Sequence, residues 1–134
     1  RLLAAGEAES IIFALPTQAT ADAMLDRIVK VAGRLFDNPD VVLAHGKSRF
    51  NLRFIDLKSA AGKKAMYGAG EKEAAAQCAE WLGQSRKRVF LGQIGVCTVD
   101  QVLVSALPVR HRFVRGFGLG KSVLIIDEVH AYDA

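Results

Sequence analysis

Apolar residues along this chain follow two alternating rhythms. "SIIFALP" (Ser10 to Pro16) is a short continuous apolar run stopped by proline, the pattern of a buried strand. From Thr17 the period lengthens. Met24, Leu25, Ile28, Val31 or Ala32, and Leu35 recur at helical spacing until "DNPD" breaks the helix. "VVLAHG" predicts a second buried strand ending in Gly46. Residues 47–70 are basic, glycine-containing and weakly periodic, which predicts a loop with a helical turn or two. Ala75, Cys78, Ala79 and Leu82 recover a helical face that "GQSRKR" closes. Gly95 to Cys97 is the centre of a third strand, "VDQVLVSAL" a short helix, and a flexible glycine-rich connection leads into "SVLIID", a fourth strand.

Strands that are apolar throughout and separated by helices indicate an α/β fold with a mostly parallel sheet covered on both faces. Ligands of such sheets bind beyond the carboxyl ends of the strands. That rule selects Pro16–Thr17, His45–Gly46, Thr98 and Asp127–Glu128, all of which directly follow strands.

Composition narrows the class. The 134 residues suffice for one domain, 51% hydrophobic and 24% charged, with no low-complexity bias. No apolar run is long enough to span a bilayer, and nothing at the start resembles a signal peptide. The opening "RLLAAGEAE" lacks an initiator Met and reads as the tail of a helix already under way, so a piece of a longer protein is expected. Cys78 and Cys97 are too few for a disulfide framework and too far apart for a metal motif, which fits reduced thiols in a cytoplasmic protein. A net charge of +4 tilts the chain towards polyanions. The cations are unevenly placed, with concentrations at Lys47 to Lys64, Arg86 to Arg88, and Arg110 to Arg115. Trp81 reads as a helix packing residue.

Two motifs compete as the chemical centre. "GFGLGKS" ends like a phosphate-cradling loop, but the position of its first glycine holds Arg115. Such a loop must follow a strand and open a helix so that amides converge on phosphate. Here the glycines precede a strand, so Lys121 is assigned to a connection. "VLIIDEVH" instead places Asp127 and Glu128 where a strand leaves the core. Nucleotide hydrolases need one acid to hold Mg²⁺, often through water, and a group that positions the attacking water. Neighbouring residues at a strand end point to different sides, so Asp127 can serve the metal and Glu128 the water; an acidic turn is the plain alternative. His130 lies on the side of Glu128 if the chain stays extended. Thr17 is placed to cap the first long helix, and Thr98 with Gln101 spells a capping box. Two helix starts on one rim can hold successive phosphates of a nucleic acid without reading its bases, with Gln18, Thr20 and Asp100 adding polar contacts.

The set "FALPTQATADAML", "LAHGKSRFN", "FLGQIGVCTVDQVLVSALPVRHRFVRG" and "VLIIDEVHAYD" closely resembles the CRISPR-associated helicase–nuclease, the signature protein of type I systems. The nearest likeness is to the subtype that works with the Cascade complex. The resemblance runs over nearly the whole chain and implies part of the first RecA-like domain, of the P-loop NTPase class, of a superfamily 2 helicase. It implies that Pro16, Thr17, Gln18 and Thr20 form motif Ia and that Thr98 to Gln101 form motif Ib, both contacting the DNA backbone. It further implies Asp127 on Mg²⁺, Glu128 as catalytic base and His130 coupling ATP hydrolysis to movement. The parent activity so implied is ATP-dependent 3′-to-5′ translocation on single-stranded DNA coupled to a nuclease. The phosphate loop, the second RecA-like domain and the nuclease domain have no counterpart in these residues, and the fragment alone is expected to be inactive. A different superfamily 2 helicase, or a non-catalytic basic module that binds nucleic acid or protein, are the competing readings.

Overall fold

A computed structural model describes residues 1–36, 41–44, 88–109 and 112–132. Residues 1–7 form a single helical turn closed at Gly6, whose φ of 72° suits a residue without Cβ. Gly6 N–H donates to Leu3 O (3.2 Å) and Glu7 N–H to Leu2 O (3.1 Å), the bonding pattern of a helix C-terminus. The chain then enters β1 (Ser10–Leu15), α1 (Gln18–Leu35) and β2 (Val41–Ala44). A 3-10 turn (Val89–Leu91) leads into β3 (Ile94–Thr98), α2 (Val99–Ala106), α3 (Arg112–Leu119), β4 (Ser122–Ile126) and a second 3-10 turn (Val129–Tyr132).

All pairings in the sheet are parallel, in the order β2-β3-β1-β4. The chain is therefore α/β with a four-stranded parallel sheet flanked by helices. β1 to β2 and β3 to β4 cross the sheet in opposite directions. Right-handed crossovers then put α1 on one face and the α2–α3 pair on the other. The core lies around β1 and β3, where Ile12, Ala14, Val96 and Cys97 are fully buried together with Leu25 of α1 and Phe90 of the first 3-10 turn. On α1 the inward stripe runs through Ala21, Leu25 and Ala32; of the two residues that the spacing left open, Ala32 is buried and Val31 is exposed. Leu35, expected on the same stripe, is also exposed.

Two expectations need correction. The glycine-rich connection is a helix: Gly116 and Gly118 lie inside α3, and only Gly120 falls in the turn before β4. Gly118 faces Phe90, and any Cβ there would overlap Phe90's backbone carbonyl. Tertiary packing thus overrides glycine's poor helix propensity. The second correction concerns β4, expected to be buried. It is an edge strand among the described residues, and Leu124, Ile125 and Ile126 are 38%, 41% and 42% exposed. Its outer side has no strand among the described residues and its faces are thinly covered, so apolar sequence alone did not secure burial. His45–Gly46, Lys47 to Lys64, the expected helix around Ala75 to Leu82 with Cys78 and Trp81, and Arg110 lie outside the described residues.

The close approach of α3 to Phe90 makes a paired test. Gly118→Ala should cost about 1–3 kcal/mol through overpacking. Gly116→Ala, where a Cβ meets nothing within 4 Å, should be neutral or slightly stabilising. Denaturant midpoints of the two variants would separate them; equal midpoints would contradict the packing role.

Candidate nucleotide and nucleic-acid rim

Parallel pairing sets the strand ends level. Leu15 is in register with Thr98, and Ala14 with Ile126. The next residue continues the ladder, because Asp127 N–H donates to Ala14 O at 3.0 Å. Pro16–Thr17, Thr98 and Asp127–Glu128 therefore leave the sheet along one edge.

At the β1 exit the chain turns directly into α1. Thr17 holds extended dihedrals (φ −129°, ψ 160°) and caps the helix. Thr20 N–H donates to Thr17 Oγ1 (3.1 Å), and Thr17 N–H donates to Thr20 Oγ1 (3.2 Å). This is a reciprocal box with threonine in the third helical position instead of Glu or Gln. The ladder takes Ala21 N–H onto Thr17 O (3.1 Å). Of the first-turn amides, the box and the ladder leave those of Gln18 and Ala19, which point past the helix start.

The β3 exit differs from its expectation. Thr98 has cap-like dihedrals (φ −84°, ψ 151°), yet its side chain makes no capping bond, and it is 5% exposed. Gln101 does not reach back to close a box. Its Nε2 donates to Asp100 Oδ2 at 2.7 Å, so the adjacent carboxylate outcompetes the backbone for the amide. Asp100 is exposed at the helix start, where its negative charge is favourable to the helix. Directly before Thr98, the buried Cys97 thiol is pushed up to about 12, chiefly by burial and then by the charge of Asp100.

At the β4 exit Asp127, Glu128 and His130 are all exposed. Glu128 has φ 49°, the one non-glycine residue in the left-handed region among the described residues. Its N–H donates to Asp127 Oδ1 at 2.9 Å. The chain then folds into the 3-10 turn, where Tyr132 Oη donates to Asp127 O at 3.4 Å. An extended path that would set His130 beside Glu128 is therefore not followed. The pKa of the Tyr132 phenol is raised by burial first, then by the charges of Glu128, Asp127 and Cys97. Tyr132 is a rim residue that sequence reasoning missed, since nothing in "HAYD" distinguishes it from an ordinary loop tyrosine.

Lys121 lies before β4, at the sheet edge opposite the rim. It pairs with Glu9 at 2.7 Å, both side chains being exposed, and this hydrogen bond and then the charge of Glu9 raise its pKa. No group of three or more metal-ligating side chains occurs among the described residues, so a metal here would rest on the single carboxylate of Asp127 plus ligand oxygens. Asp127 suits that role, because it is exposed and its Oδ1 is the oxygen that accepts from Glu128 N–H. No described helix is long and apolar enough to cross a membrane.

No family model matches the chain. It is 62% identical over 126 residues to the CRISPR-associated endonuclease/helicase Cas3 of Escherichia coli (strain K12), covering 94% of this chain and 14% of that protein. It is 38% identical over 122 residues to the protein of the same name from Thermus thermophilus, covering 90% of this chain and 13% of the relative. A crystal structure of T. fusca Cas3 with ADP matches with a TM-score of 0.73 at 31% identity, covering 97% of this chain and 13% of that one. The chain thus spans about one-seventh of the length of these relatives.

Burial of Cys97 gives a chemical check on the rim. Its protonated, enclosed thiol should resist iodoacetamide at pH near 8 in the folded protein and react once denaturant is added, as read by peptide mass mapping. Labelling of folded protein at the rate of an exposed thiol would contradict the placement of β3.

Proposed function

Over the residues aligned, the chain is a segment of the CRISPR-associated nuclease/helicase family, Cas3, and on that premise we propose that it forms the motif Ia to motif II part of the first RecA-like domain of an ATP-driven DNA translocase. The carrying observation is the common rim: Thr17, Thr98 and Asp127 leave adjacent parallel strands at one level. One row of strand ends can then serve nucleotide at the β4 end and polynucleotide at the α1 and α2 starts.

In this reading ATP is the substrate, and ADP in the T. fusca relative supports a nucleotide at the site. Asp127 would hold Mg²⁺ through water, the ion neutralising phosphate charge as it develops. Glu128 accepts a proton from the attacking water. His130, on the turn that follows, is positioned to report the state of the site to a second domain. The amides of Gln18 and Ala19 and the polar groups of Pro16–Thr17, Thr20, Thr98 and Gln101 hold the backbone of single-stranded DNA, with Asp100 orienting the Gln101 amide. Such binding carries little sequence preference and weakens steeply with salt.

The half-exposed β4 supports a sheet that continues beyond it. Further strands of the parent sheet would cover Leu124 to Ile126, and the phosphate loop on that side would bring its lysine towards Asp127. The second RecA-like domain, the nuclease domain, action on DNA opened by Cascade, and a cytoplasmic setting belong to the same reading of the parent. Phosphoryl transfer depends on all these parts being positioned together. The isolated 134-residue chain is therefore expected to hydrolyse ATP no faster than buffer, with or without single-stranded DNA; steady DNA-stimulated turnover would refute this. In the full-length parent, Glu128→Gln should retain ATP binding and lose turnover by about 10²-fold or more. Unchanged ATPase would favour a non-catalytic nucleic-acid-binding module.

A further inference from the structure

The peptide unit joining Asp127 to Glu128 is held at both polar ends. Its N–H donates to Asp127 Oδ1 at 2.9 Å, and its C=O accepts from Tyr132 Oη at 3.4 Å. The second of these bonds comes from downstream of Glu128, so it closes the turn in which Glu128 takes its φ of 49°, the dihedral that sets how the Glu128 side chain leaves this plane. On the sheet side the same stretch is anchored by Asp127 N–H on Ala14 O at 3.0 Å. Three bonds thus hold the peptide on which the left-handed Glu128 turns, and backbone in such sparsely populated regions clusters at functional sites.

The two holds on the peptide unit are not equivalent. Oδ1 belongs to the carboxylate that the proposed function gives to Mg²⁺, so loading the site draws on the bond to Glu128 N–H. The bond from Tyr132 uses a main-chain oxygen and does not compete with an ion. We propose that Tyr132 is a positioning residue for Glu128, keeping the peptide plane, and so the carboxylate, in place when Asp127 is occupied. At 3.4 Å the bond is long for a hydroxyl donor.

This inference rests on the reading of Glu128 as the base, and the test separates the two. In the full-length parent, ATPase kinetics and melting temperature are measured for Tyr132→Phe and Glu128→Gln. The expected result is loss of turnover in Glu128→Gln, and in Tyr132→Phe a kcat lower by about ten-fold, the scale of one lost hydrogen bond, with KM for ATP and melting temperature unchanged. Wild-type kcat in Tyr132→Phe beside an inactive Glu128→Gln would overturn the positioning role alone. A Tyr132→Phe defect confined to KM or melting temperature would overturn it as well, by assigning the hydroxyl to general stability. Full turnover in Glu128→Gln would remove the base and the inference with it.

Discussion

Every feature of the rim depends on the parallel ladder around β1. This strand pairs with β3 on one side and β4 on the other, so the register Leu15 with Thr98 and Ala14 with Ile126 sets three strand exits level. A slip of one residue on either side would turn the apolar set of that strand to the opposite face and displace its exit. Ile12, Ala14, Val96 and Cys97, all fully buried, make such a slip costly at the β1–β3 pair. β4 lacks that protection, and its register leans on backbone bonds, including the one from Asp127 to Ala14.

Each exit solves the end of its strand by different local chemistry. Thr17 and Thr20 satisfy one another's amides, so α1 starts without help from elsewhere. Thr98 starts α2 by backbone conformation alone, while Gln101 is spent on Asp100. Asp127 caps its own successor, and the left-handed step at Glu128 leads the chain into the second 3-10 turn. These solutions leave the unbonded amides at the start of α1 and the Asp127 and Glu128 carboxylates at the β4 exit, with Asp100 the one acid in the first turn of α1 or α2. That polarity suits an anionic strand beside a metal-bound nucleotide.

Most of the framework was legible in the letters. Continuous apolar runs marked β1 to β4, and the change of period at Thr17 marked α1, with the proline–threonine junction giving its start. The three rim positions followed from strand ends and the parallel rule alone. What was not legible depends on tertiary partners. α3 carries glycines that read as a loop, because the contact with Phe90 that demands Gly118 comes from a segment far away in sequence. The capping box was assigned to Thr98 by spelling, whereas a threonine pair at Thr17 and Thr20 forms it. β4 has the composition of a buried strand, and its exposure depends on what lies beside it. The turn at Glu128 and the bond from Tyr132 have no sequence signal, since both arise from the path the chain takes after leaving the sheet.

The central claim is that one row of parallel strand ends handles nucleotide and polynucleotide side by side. The most direct measurement is a crystal structure of the full-length parent with Mg²⁺, a non-hydrolysable ATP analogue and single-stranded DNA. The ion is expected over Asp127, and successive DNA phosphates at the helix starts after Thr17 and Thr98, all on the same sheet edge. DNA bound along another surface, or nucleotide held away from Asp127, would contradict it.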